Sequence, residues 1–148
     1  MKKHSARADS IQPNTITMLV EDQRIDRRVL DEARSLIQAG WQVTVIAGMP
    51  PSVGDRQDEI SYPDVKIVRV SPQRSKELYN RFDKNVLEQI SGRFPAWTYT
   101  KLFSLHNYLL MEALDHPAQV YTAHDLPQLP VAAMAASHYG AYLVLSLI

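Results

Sequence analysis

The residues able to do chemistry fall into two short clusters. The first is EDQRIDRRVLDEAR, residues 21–34, where Arg24, Arg27 and Arg28 crowd the place a helix should begin. That end of a helix is the positive end of its dipole, so three cations there call for an anion beside them. A phosphate or an anionic lipid would serve, which makes Arg24, Arg27 and Arg28 candidate substrate-binding residues. Pairing of Arg27 with Asp31 and of Arg28 with Glu32, one turn apart, would satisfy the same cations without a ligand. The second cluster is YTAHDLPQLP, residues 121–130. His124 can donate to a sugar hydroxyl or exchange a proton near neutral pH, and is the candidate catalytic residue. Asp125 is a candidate substrate ligand, or else a turn or helix-capping residue ahead of Pro127 and Pro130.

Other chemistries find no residues to carry them. The absence of cysteine removes disulfides, thiolate metal sites and cysteine nucleophiles. Gly40, Gly48, Gly54, Gly92 and Gly140 form no GxG, so the dinucleotide fingerprint is missing, and no P-loop lysine follows a glycine loop. His4, His106, His116, His124 and His138 show no ligand spacing, so no metal is expected. A GxSxG elbow is absent. With 16 basic against 16 acidic side chains, the charge gives no reason to expect a nucleic acid partner.

The elements that must position the two clusters alternate along the chain. Thr15–Val20 reads as a first strand, and Ile25, Val29, Ala33, Leu36 and Ile37 recur at helical spacing up to a cap at Gly40. Residues 42–47 form a second strand, 48–62 a loop and 65–70 a third strand. Leu78, Phe82, Val86 and Ile90 repeat every four residues and predict one helix. Pro95 opens another that carries Leu102, Phe103, His106, Leu109, Leu110 and Ala113 on one face. Residues 120–123 are a fourth strand, 130–139 an alanine-rich helix capped by Gly140, and 142–147 a fifth strand. Both clusters then follow the carboxyl ends of strands, where open α/β sheets place ligands. The fold class is α/β, a Rossmann-like open parallel sheet with helices on both faces.

Three stretches bear on surroundings. Residues 1–14 are polar, lack the apolar core of a signal peptide and read as a disordered tail, with the domain spanning 15–148. Phe94, Trp97, Tyr99, Phe103 and Tyr108 beside Arg93 and Lys101 suit either an interfacial membrane helix or a core. Residues 126–148 hold no Asp, Glu, Lys or Arg, but prolines and polar residues interrupt them too often for a membrane span. A buried helix and a buried strand are expected there. A strand so apolar with no crossover helix after it also suggests a domain that continues beyond residue 148.

Residues 22–48, DQRIDRRVLDEARSLIQAGWQVTVIAG, resemble the opening of family 4 glycosyltransferases of the GT-B fold. Asp22, Arg24, Asp26, Arg28, Glu32, Ala33, Leu36, Gly40, Val43 and Val45 match that pattern in order. Residues 121–145, YTAHDLPQLPVAAMAASHYGAYLVL, resemble the A-H-D-x-x-x-L-P-x-A segment of the same N-terminal, acceptor-side domain. The resemblance implies retaining transfer of a sugar from a nucleotide-sugar to an acceptor, with His124 beside the donor sugar and no metal. It also implies that the donor binds mainly to a C-terminal domain, which these residues do not include. The chain alone is therefore expected to be inactive and to take no cofactor, the nucleotide-sugar needing a separately encoded C-terminal glycosyltransferase domain as partner. The alternative is a non-catalytic module that binds an anionic lipid or glycan intermediate. The expected location is the cytoplasm, with peripheral contact at the inner face of the membrane as its extension.

Overall fold

Parallel strands need a crossover between neighbours, so short apolar runs alternating with amphipathic ones lead to a sheet wrapped by helices. The computed structural model describes residues 11–49, 54–93 and 105–146. β1 (Thr15–Leu19) is followed by α1 (Arg27–Gln38), β2 (Gln42–Ala47), α2 (Gln57–Ser61) and β3 (Lys66–Arg69). Then come α3 (Pro72–Arg81), α4 (Lys84–Arg93), α5 (Leu105–Asp115), β4 (Val120–His124), α6 (Leu129–Tyr139) and β5 (Tyr142–Ser146). The five strands are all parallel, in the order β3-β2-β1-β4-β5. This is the open Rossmann-like α/β sheet that the sequence pattern predicts.

Alternate side chains of a strand point to opposite faces. Ile16 and Met18 of β1 join Val43 and Val45 of β2 and Val29, Leu30 and Ala33 of α1 in one core. Leu19, Ile46, Tyr121 and Ala123 form the other with residues of α3, α4, α5 and α6. Helices thus cover both faces. Burying Val29 and Leu30 contributes roughly 1.5–3 kcal/mol each, enough to hold α1 down despite its otherwise polar surface.

Two helices replace the single one expected around residues 78–90. Ser71 caps α3, accepting from the Arg74 backbone N–H at 3.1 Å, with Pro72 at the first helical position. Phe82 turns to extended backbone and ends that helix. Asp83 then starts α4, its carboxylate accepting from the Asn85 N–H at 2.9 Å. The four-residue repeat survives the break, because Leu78, Phe82, Val86 and Ile90 all reach one core. Periodicity alone therefore hid the break. Similarly, the loop expected over 48–62 contains the short helix α2.

Hydroxyl groups secure the end of α5, where carbonyls lack helical partners. The Thr17 hydroxyl donates to the His116 carbonyl at 3.0 Å, and Tyr121 donates to those of Ala113 and His116 at 2.9 and 3.0 Å. Tyr139 donates to the Leu114 carbonyl. Burial pushes both tyrosines above their ordinary pKa, so they remain protonated donors. Leu109, Leu110 and Ala113 are core residues and Tyr108 packs against them. Phe94, Trp97, Tyr99 and Phe103 lie outside the described residues. No helix among the described residues is long and apolar enough to cross a membrane.

One expectation is corrected. β5 is an exposed strand, with Tyr142 at 72% exposure and Leu143, Val144 and Leu145 also open. Among the described residues it pairs only with β4, and α1 packs over β1 and β2 rather than over it. Of the stretch expected as a tail, residues 1–10 lie outside the described residues. Ile11 packs on the core, and the Asn14 N–H donates to the Gln119 side chain at 3.0 Å.

Candidate functional site

β1 and β4 lie side by side, yet their onward connections diverge. The chain leaves β1 through α1 on one face, and leaves β4 through α6 on the other. In open α/β sheets such a divergence leaves a crevice at the carboxyl ends of the strands, the usual ligand position. Leu19 pairs with Ala123, so Val20 and Glu21 run beside His124 and Asp125. Both sequence clusters therefore meet at one edge.

His124 closes β4 and is only 3% exposed. Its Nε2 lies 3.3 Å from the Thr122 hydroxyl, while Nδ1 has no hydrogen-bond partner. Burial lowers its pKa, with Glu32 and Asp125 pulling the other way, so the ring is neutral at neutral pH. It can give or take one further hydrogen bond, according to its tautomer. Asp125 follows in a conformation L-residues rarely adopt, with φ 117° and ψ 158°. Such strain costs on the order of 1–3 kcal/mol and gathers at functional sites. The Asp125 side chain makes no capping hydrogen bond.

Gln128 and Glu21, neither a candidate site residue in the sequence, also lie at this edge. The Gln128 amide, 2% exposed, donates from Nε2 to Glu21 Oε2 at 2.8 Å and so ties the β4 loop to the β1 loop. Its Oε1 has no partner. The signal was present, since Gln128 is a polar residue within an uncharged, mostly apolar stretch. Burial and then the charges of Asp125, Glu21 and Asp26 raise the Asp22 carboxyl above its ordinary pKa. The crevice is an acidic place.

The arginines are already engaged. Arg24 meets Asp55 at 2.6 Å and Arg27 meets Asp31 at 3.7 Å. Arg28 turns back to Asp26, at 2.7 Å, instead of reaching Glu32. Asp26 is the N-cap of α1 and accepts from the Arg28 backbone N–H at 2.8 Å. Hydrogen bonds from the Arg28 side chain and backbone hold its carboxyl at a pKa of about 2. The anion that the helix start calls for is thus the chain's own.

What fixes the β1 loop is Arg69, at the carboxyl end of β3, with 9% of its side chain exposed. It pairs with Asp58 at 3.0 Å and Glu59 at 2.9 Å, and donates to the carbonyls of Gly48, at 3.2 Å, and Gln23. Asp58 in turn accepts from the Ile25 N–H at 3.0 Å. Burial would raise the Glu59 pKa, but the Arg69 hydrogen bond leads a set of contacts that lowers it overall. Gly48 lies so close that a Cβ there would collide with the Glu21 carbonyl oxygen. The sequence hint was an arginine set between two valines near the end of the run VKIVRV.

A separate cluster lies where α5 leads into β4, away from the crevice. Glu112, Asp115 and His116 bring ligand atoms within 4.8 Å of one another, the one such group among the described residues. Arg74 already binds Glu112 at 3.1 Å and Asp115 at 2.7 Å, joining α3 to α5. Its guanidinium supplies positive charge to both carboxylates.

No protein-family model, curated protein or solved structure matches this chain.

Proposed function

We propose that the chain is the acceptor-side α/β unit of a retaining glycosyltransferase of the family 4 type. In this reading it holds a hydroxyl-rich ligand between β1 and β4. The fold is shared by many chemistries and decides nothing about this one. What carries the reading is His124 at the end of β4, buried, neutral and with Nδ1 unpartnered at the edge where such sheets take ligands. Asp22 and Asp125, one from each motif-bearing segment, lie near each other at that edge. His124 would orient a hydroxyl there, while Glu21 and Asp125 offer acceptors. Binding of an anion through Arg24, Arg27 and Arg28 would have to compete with Asp55, Asp31 and Asp26, which favours the sugar reading over the anionic lipid.

The test is an amide-resolved NMR titration of the whole chain with monosaccharides and nucleotide-sugars. Shifts confined to residues 20–26 and 122–128, lost in His124→Gln with an unchanged fold, are the expected outcome. Shifts elsewhere, or none, would sink the proposal.

A further inference from the structure

We infer that the crevice selects a ligand bearing a protonated amine, so that its sugar is an amino sugar with a free ammonium group. The inference rests on the sugar-binding reading above and narrows it. The central observation is Gln128. Its Nε2 is spent on Glu21, and its buried Oε1 sits on the same planar amide with no donor. A buried acceptor left without a partner is destabilising until a donor arrives. Glu21, Asp22, Asp26 and Asp125 share the same edge: burial first, then the charges of Asp125, Glu21 and Asp26, raise the pKa of Asp22. Glu32 and Asp125 also act on His124. Arg24 is held by Asp55 and Arg28 by Asp26, with Arg28 also acting on Asp125, so the negative charge left for a ligand is that of Glu21, Asp22 and Asp125. A donor-rich cation answers both the orphaned acceptor and the crowded negative charge.

The geometry also selects among cations. A bare metal ion needs ligand atoms converging on one point, and among the described residues only Glu112, Asp115 and His116 do so. The crevice carboxylates are spread more widely. An ammonium carries three diverging N–H donors and suits acceptors set apart. A phosphate would meet like charge.

The whole chain would be titrated by NMR with glucosamine, glucose, N-acetylglucosamine and propylamine. Conditions are about pH 6, where an aliphatic amine is protonated, and about 0.01 M salt, where screening is weak. Glucosamine should shift residues 20–26 and 122–128 and bind roughly tenfold more tightly than glucose or N-acetylglucosamine, as one charge-assisted hydrogen bond allows. Glu21→Gln and Asp125→Asn should each lower that preference, and the exposed Asp125 can be changed without disturbing the core. Equal binding of glucose and glucosamine overturns the inference and leaves the sugar reading intact. Propylamine binding as tightly as glucosamine supports the ammonium site and removes the sugar reading. Silence from all four overturns both.

Discussion

Replacing Arg69 with methionine keeps an unbranched apolar stem and removes the guanidinium that joins the β1, β2 and α2 segments. Asp58 and Glu59 would lose their cation, and the carbonyls of Gly48 and Gln23 a donor. Removing one partner of a fully buried pair costs about 3–5 kcal/mol. Both carboxylates here keep some access to water, which lowers the expected cost to about 2–3 kcal/mol. For 148 residues the entropy of unfolding is about 0.3 kcal/mol/K, so the thermal midpoint should fall by roughly 6–10 °C. Circular dichroism melts of the wild type, Arg69→Met, Asp58→Asn and the double variant measure this directly. Asparagine retains an oxygen that can accept from the Ile25 N–H while losing the charge. The double variant should therefore be more stable than the two single costs predict, by about 1 kcal/mol. A midpoint shift below about 2 °C for Arg69→Met, or strict additivity, would refute the claim that Arg69 holds the loop.

Burial holds His124 and His138 below their ordinary pKa, opposed at His124 by Glu32 and Asp125 and reinforced at His138 by Arg93. In the unfolded chain both take up protons near pH 6.5, so unfolding binds protons and stability should fall between about pH 7 and pH 5. Denaturant midpoints at those two pH values should differ, and His124→Gln and His138→Gln should each remove part of the difference; a flat wild-type profile contradicts this. The open apolar edge of β5 should make the protein self-associate as concentration rises. Val144→Lys should hold the mass from light scattering constant and change stability by no more than about 0.5 kcal/mol. A wild-type mass that does not vary with concentration would count against it.

Local pattern was enough for the strands, for α1 and α6, and for the left-handed residues Gly40 and Gly140. Strand and helix periods differ, and glycine tolerates positive φ, so neighbouring residues carry that information themselves. The same pattern placed His124 and Asp125 directly after a strand. It missed the break at Phe82, because both helices turn the same repeat toward one core. Pairing between segments was beyond it: Arg69 meets Asp58 and Gln128 meets Glu21. The exposure of β5 also had to come from the fold, since an apolar strand reads alike at the centre and the edge of a sheet. Sequence determines what each segment can form, because those preferences are local. Only the tertiary structure decides which buried donors and acceptors find partners, because that depends on segments distant in the chain. Gln128 Oε1 and His124 Nδ1, left without partners in the crevice, are visible only at that level.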